Sequence, residues 1–349
     1  MIALKKFLFI FNLFILISSQ KFYDFKNEPI STFSYDMIKY YSLLTSFGYC
    51  TTDIIKSNEC CKNEVIDDGW EVIDYGDIAV NGTKMFDFHY VVLRNDLYKK
   101  YAFSFPGTYS LAQAFGELTK CNSVLFEDNT ENIKIDNYFY SLYSALKPYV
   151  LKENIINDIK NHPNYQILFT GHSLGGSMAN LFAFSVIYNN IIDINVNQPV
   201  LLTFGQPRTG NKEFSKKFME IFPNGLVFRI VRKGDPVPLI PFYNTLGYNY
   251  YHIGGLYIFN NEMTEYTECE YLEGEFFKNV KCYNHFAGLD LLVKAFGEKR
   301  LEVAVYDIVK FIIYCGDNHT HYTNLKTGID NYCKPEYIIN NEKNKISKI

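Results

Sequence analysis

Gln166-Ile167-Leu168-Phe169-Thr170-Gly171-His172-Ser173-Leu174-Gly175-Gly176-Ser177 is the stretch on which the reading of this chain turns. Residues 166–170 form a short apolar run with the look of a buried strand, and residues 177–188, rich in Ala, Leu and Phe, read as a helix. Between them stands G-x-S-x-G. A serine presented between a strand and a helix needs a sharp, strained turn, and that turn tolerates only small neighbours. Gly171 and Gly175 remove the side chains that would collide with the adjoining strand and helix. Ser173 Oγ would then stand clear above a sheet, over a helix N-terminus whose free N–H groups and dipole favour negative charge.

The same alternation extends outward. Residues 35–47 read as a helix with Tyr40, Leu43, Leu44 and Phe47 on one face. Strands are expected at 70–75, 86–94 and 100–105, then a long helical stretch over 135–160, kinked or broken at Pro148. Further strands are expected at 200–204 and 226–231. Strands alternating with helices predict an α/β fold with a mostly parallel central sheet and helices on both faces. There is no internal repeat and no Gly/Ser- or Pro-rich linker, so one domain is expected over 21–333, followed by a polar, Lys/Asn-rich tail at 334–349.

Composition narrows the function. The chain has 349 residues, 48% hydrophobic and 21% charged, which excludes a disordered or fibrous class. A net charge of -4 offers no basic field for nucleic acid. Lys5 and Lys6 precede an apolar run at 7–17, and Ser18, Ser19 and Gln20 follow it. That is the pattern of a signal peptide over 1–20, and the run is too short for a stable membrane span. All eight cysteines lie after it, which predicts disulfides in a secreted protein. Cys269 and Cys282 flank an alternating stretch at 271–280 and are the pair most readily matched. No CxxC pairs with a second CxxC or with spaced histidines, so no metal or cofactor is implied. Asn81 and Asn318 head glycosylation sequons.

A serine nucleophile needs a base and a group that orients the base. Asp235, in Lys233-Gly234-Asp235-Pro236 directly after the strand at 226–231, is the acid candidate. It falls where such sheets carry catalytic loops, at a strand C-terminal end. Asp193, on a surface connection, and Asp290 are the rivals. Among seven histidines, His89 and His162 precede the serine and His172 adjoins it, pointed away by the turn. His285, in Cys282-Tyr283-Asn284-His285-Phe286, is the leading base candidate; His252, among Tyr248, Tyr250 and Tyr251, is the second, with packed structural histidine as its other reading. His319 and His321 complete the set.

Here the sequence resembles the class 3 lipases, the fungal-type triacylglycerol lipases of the α/β-hydrolase fold. The resemblance rests on residues 165–176, on Thr203-Phe204-Gly205-Gln206-Pro207-Arg208-Thr209-Gly210-Asn211, on 228–238 and on 247–254, in that order, and spans about 35–300. It implies Ser173 as nucleophile, Asp235 as acid, His285 as base and His252 as a structural residue. It also implies an oxyanion hole from the Leu174 N–H and from Thr108, in Phe105-Pro106-Gly107-Thr108. Three positions depart from the family pattern. Pro106 stands in place of an Arg, Asn137-Tyr138-Phe139 in place of a His-x-Gly-Phe sequence, and His285 lacks the usual preceding Asp and following Tyr-Phe.

By the same resemblance, residues 109–119 correspond to a mobile lid, and Leu111, Ala114, Phe115 and Leu118 give them an apolar face. The expectation is a secreted serine ester hydrolase, extracellular or in a lysosome-like vesicle. It would act as a monomer on a lipid ester at a lipid–water interface, most readily an acylglycerol. A feruloyl-type or phospholipid esterase, and a catalytically silent lipid-binding protein, are the alternatives on this scaffold.

Overall fold

The structure is a computed structural model that describes residues 26–50, 52, 55, 65–79, 87–108, 122–222, 226–235, 237–241, 250–260 and 263–269. The expected leader at 1–20, the stretch at 109–119, Cys282, His285, both sequon asparagines and the tail lie outside the described residues.

Helix α1 (Tyr35–Phe47) leads into the antiparallel strands β1 (Trp70–Ala79), β2 (Asp87–Asn95) and β3 (Lys100–Phe105). A small two-stranded sheet follows, β4 (Ser123–Leu125) with β5 (Lys134–Asp136), then helices α2 (Asn137–Val150) and α3 (Glu153–Asn161). Next come β6 (Gln166–His172), α4 (Leu174–Tyr188), the short α5 (Ile194–Asn197), β7 (Val200–Phe204), α6 (Lys212–Ile221) and β8 (Val227–Arg232). Strands β9 (Leu256–Phe259) and β10 (Tyr266–Cys269) close the described chain. Eight strands form one sheet in the order β1-β2-β3-β6-β7-β8-β9-β10. Its middle, β3 through β9, is parallel, and the pairs at both edges are antiparallel.

Alternation along β3 and β6 sorts the helices into layers, because successive side chains point to opposite faces. Ser104 and Thr170 are register partners. Ser104 Oγ donates to Thr45 O at 3.2 Å, and the Thr45 and Thr170 hydroxyls lie 2.5 Å apart, so α1 covers that face. Phe103 and Phe169, also partners, stack at 5.1 Å on the other face. There Phe105 stacks on Phe182 of α4 at 5.0 Å and Tyr101 Oη donates to Asp158 of α3 at 2.8 Å. Helix α4 is buried along all but its last residue, wedged between the sheet, α2 (Tyr143 on Phe182, 5.1 Å) and α6 (Phe184 on Phe214, 4.9 Å). Each such ring withdrawn from water contributes about 2–3 kcal/mol.

The N-terminal ends of the parallel strands are strapped by the chain that precedes α1. Lys100 and Gln166 are register partners at the starts of β3 and β6. The Lys100 ammonium donates to the carbonyls of Lys26 at 2.7 Å and Glu28 at 2.8 Å. The Gln166 amide accepts from Ile30 N at 2.8 Å and donates to Ile30 O at 3.1 Å. Asp68 takes an ion pair from Lys26 at 2.5 Å and hydrogen bonds from the Tyr40 and Tyr98 hydroxyls.

The helical stretch expected over 135–160 is broken into two helices, a few residues beyond the expected point at Pro148. Pro148 lies inside α2, and the chain breaks three residues later, at Leu151. Proline forfeits one donor within α2, yet the Leu151 N–H still reaches Lys147 O at 2.9 Å and closes the last turn. Cys50 and Cys269 are each half of a disulfide. No helix among the described residues is long and apolar enough to cross a membrane.

Candidate active site

Four loops meet at the C-terminal ends of β3, β6, β7 and β8. Ser173 ends the turn from β6 into α4 with φ 56 and ψ -125, a conformation that L residues avoid. Such strain costs on the order of 1–3 kcal/mol and persists only where the surroundings enforce it. Here the enforcement is visible atom by atom. Ser173 N donates to Phe204 O at the end of β7 at 2.8 Å. A Cβ on Gly171 would come within 2.2 Å of Gly175 O, and one on Gly175 within 2.1 Å of Phe105 O. Both glycines are therefore demanded by close backbone approach. The Leu174 N–H heads α4, one of the helix-start amides with no partner inside the helix.

The turn after β3 passes beside this serine. A Cβ on Gly107 would lie 3.0 Å from Ser173 Cβ, so Thr108, the next residue, borders the same space. Gly175 packs under the Phe105 and Pro106 carbonyls, which locks this turn to the start of α4.

Asp235 follows β8, 1% exposed. Its Oδ1 accepts from Val237 N at 2.9 Å, and its own N–H donates to Arg232 O at 3.1 Å. Since β7 lies between β6 and β8, the ends carrying Ser173 and Asp235 are about 10 Å apart at the usual strand spacing. The segment after Asp235 is held by two further residues. The Arg208 guanidinium donates to the carbonyls of Leu239 and Pro241, and Arg208 N donates to Ile240 O at 2.8 Å. His252 Nε2 lies 2.6 Å from Pro238 O and, facing a carbonyl, acts as donor. Burial, and then the nearby Arg229 and Arg208 charges, push the His252 imidazole well below the usual histidine range, so it stays neutral. That geometry matches the structural reading of His252.

Behind the serine runs a buried polar chain that sequence reasoning assigned no role. Thr203 Oγ1 donates to Gln206 Oε1 at 2.8 Å, and Gln206 Nε2 donates to Thr209 Oγ1 at 3.2 Å. Thr209 Oγ1 donates to Ser177 Oγ at 3.1 Å and accepts from Asn180 Nδ2 at 3.3 Å. A Cβ on Gly176 would meet Gln206 Cβ at 2.9 Å. The first turns of α4 are thus pinned to the turn after β7 by side chains no more than 2% exposed. The unusual polar content of Thr203 to Asn211 after a buried strand was the available signal.

The other candidates are accounted for where described. Asp193 caps α5, accepting from Asn195 N at 2.9 Å. His89 pairs with Asp77 across β1 and β2 at 2.5 Å, and His162 bonds Tyr101 Oη at 3.0 Å. His172 Nδ1 lies 2.6 Å from Tyr49 Oη, on the α1 side. His285, His319, His321 and Asp290 lie outside the described residues.

A serine on a strained turn between a parallel strand and a buried helix, in a sheet of this order, defines the α/β-hydrolase fold. Comparison with known proteins narrows the class. Residues 102–245 match the model of the family "Lipase (class 3)". Over that stretch the chain resembles the class 3 lipases. A lipase of Caenorhabditis elegans is 35% identical over 108 residues, 31% of this chain and 28% of that protein. A secreted mono- and diacylglycerol lipase of Gibberella zeae is 37% identical over 111 residues, 30% of this chain and 26% of that protein. A lipase of Rhizomucor miehei is 27% identical over 205 residues, 58% of this chain and 53% of that protein. The chain therefore spans about a quarter to a half of the length of these relatives. In structure it resembles lipase II from Rhizopus niveus (TM-score 0.57, 22% identity, 67% of this chain and 84% of that one). It also resembles a Rhizomucor miehei lipase propeptide complex (TM-score 0.58, 24% identity, 67% and 70%).

Proposed function

We propose that the protein is a secreted serine ester hydrolase that cleaves acylglycerols at a lipid–water interface. The observation that carries this is the backbone of Ser173, held at φ 56 and ψ -125 by the crossing of Gly171 and Gly175 at the head of α4. Strain maintained by that much packing has a use, and presenting a nucleophile is the use chemistry offers. Asp235 lies about two strand spacings away, a gap suited to an imidazole that contacts both residues.

In this reading His285 supplies that imidazole. It takes the Ser173 proton as Oγ attacks the ester carbonyl, and Asp235 steadies the imidazolium that forms. The Leu174 N–H and the Thr108 N–H hold the oxyanion, each donor being worth roughly 10²–10³ in rate. His285 then protonates the departing alcohol, and water releases the acyl group by the same steps in reverse order. Relatives named as lipases, one a secreted mono- and diacylglycerol lipase, support the substrate class. Residues 1–20 are read as the removed leader, 21–333 as the single hydrolase domain, 334–349 as its tail and 109–119 as a lid.

The test is tributyrin hydrolysis scanned across its solubility limit, with Ser173→Ala beside the wild type. A wild-type rate that jumps when droplets form, lost by a factor on the order of 10⁴ or more in Ser173→Ala, is expected. Equal rates in the two proteins would overturn the assignment. Hydrolysis of feruloyl or phospholipid esters in preference to tributyrin would redirect the substrate class.

A further inference from the structure

Helix α1 ends directly beneath the turn after β3. A Cβ on Gly48 would come within 2.8 Å of Phe105 C and 2.9 Å of Pro106 N, and Gly48 N donates to Ser104 Oγ at 3.0 Å. Tyr49 N and Cys50 N fold back onto Ser46 O at 3.0 Å and Phe47 O at 2.9 Å, and Cys50 is tied by its disulfide. Tyr49 is thus held from both sides, with its ring buried. Its Oη lies 2.6 Å from Nδ1 of His172, the residue before Ser173. The same Oη lies 2.5 Å from where a Cβ on Gly107, the residue before Thr108, would stand. One phenol oxygen therefore abuts the residue that precedes the nucleophile and the residue that precedes the second oxyanion donor.

We infer that Tyr49 and His172 form a positioning pair that sets the distance between Ser173 and the Thr108 N–H. The inference rests on the ester hydrolase reading given above. Neither side chain is asked to touch substrate. Gly175 locks the Phe105–Pro106 part of the turn to α4, but Gly107, with no side chain of its own, depends on what lies around it. The Tyr49 hydroxyl fills the space under Gly107, and its hydrogen bond to His172 couples that prop to β6, the strand that carries the serine. An oxyanion hole needs its donors within about 0.5 Å of the productive position, so slack in this prop reduces the rate without changing ground-state binding.

The experiment measures kcat and KM on p-nitrophenyl butyrate, with melting temperatures alongside. Tyr49→Phe keeps the ring and loses Oη. It is expected to lower kcat ~10-fold, short of the loss from deleting an oxyanion donor outright, with KM unchanged. Phosphonylation of Ser173 by a p-nitrophenyl alkylphosphonate, which develops charge on the same oxygen, should slow in parallel. His172→Ala should lower kcat similarly, and His172→Asn, whose amide can still bond the phenol, should recover part of the loss. Combining Tyr49→Phe with His172→Ala should be little worse than either alone, as for a coupled pair. An unchanged kcat in Tyr49→Phe, a loss confined to KM, or fully additive losses would each overturn the pair. If Tyr49→Phe fails to fold, the contrast between His172→Asn and His172→Ala decides, and equal losses there overturn it. A wild type as inactive as Ser173→Ala would overturn the hydrolase reading and this inference together, whereas an active wild type with an unaffected Tyr49→Phe overturns the pair alone.

Discussion

The two ends of the parallel strands are built on opposite principles. At the C-terminal end, side chains are withheld: Gly171 and Gly175 let backbone approach backbone, Gly107 and Gly176 make room for the Tyr49 hydroxyl and the Gln206 side chain, and Ser173 is bent into a strained turn. At the N-terminal end, long polar side chains do the holding, with Lys100 and Gln166 gripping the carbonyls and an amide of the 26–30 segment. The first end stores strain next to its reactive group. The second makes ordinary hydrogen bonds through side chains, and its positive φ values, at Lys99 (52) and Gln198 (42), fall in the turns that lead into β3 and β7. A substitution should therefore affect rate and stability together at one end, and stability alone at the other.

The largest expected effect is at Gly175. Its alanine would place a methyl 2.1 Å from Phe105 O and 2.4 Å from Pro106 O, both backbone atoms that cannot rotate away. Gly175→Ala should destabilise by about 2–3 kcal/mol and abolish most ester hydrolysis, read by denaturant unfolding and by kcat. Normal activity at normal stability would break the account of the turn.

Next is Lys100. Burial pushes its ammonium down to about 8, against 10.5 for a free lysine. The unfolded chain then binds more protons than the folded one between those values, so folding gains stability as pH rises from 8 to 10.5. Below pH 8 both states are protonated and the burial penalty is present in full. Subtracting the unfolding free energy of Lys100→Met from that of the wild type should give a difference that grows in favour of the wild type over that interval. A flat difference would remove the buried charge from the picture.

Gln166→Ala should cost about 1–2 kcal/mol by freeing both backbone groups of Ile30, with kcat unchanged. A tenfold fall in kcat would show that the two ends are not separable. The smallest effect sharpens the strain argument. Ser173→Gly should be more stable than Ser173→Ala by about 1 kcal/mol, because φ 56 suits glycine while both variants lack the hydroxyl. Equal stabilities would mean that the turn is not strained.

The sequence was most legible where one local pattern decides the outcome. Strands β3 and β7 and helix α1 have the expected bounds, since each is an apolar segment buried along nearly its whole length. The serine turn was equally plain, because steric demand there falls on its near neighbours in the chain. Helix α6 was not read: only Phe214 and Phe218 of its residues are buried, too sparse a stripe among Lys and Glu. Three-residue strands such as β4 and β5 carry no period to detect. The Tyr49–His172 contact joins residues 123 apart, and nothing near either one announces the other. Cross-chain matching of this kind is set by the fold as a whole.

The strap onto Gln166 also has a consequence for biosynthesis. Ile30 meets its partner 136 residues later, and Thr45 of α1 meets Thr170 after 125. At ribosomal speeds of roughly 5–20 residues per second, the first segment to emerge waits on the order of ten seconds for the strand that completes it. During that interval α1 has β1–β3 but not β6 to cover Met37, Leu44 and Phe47, which end fully or almost fully buried. The opening third of the chain therefore completes its packing only when β6 arrives.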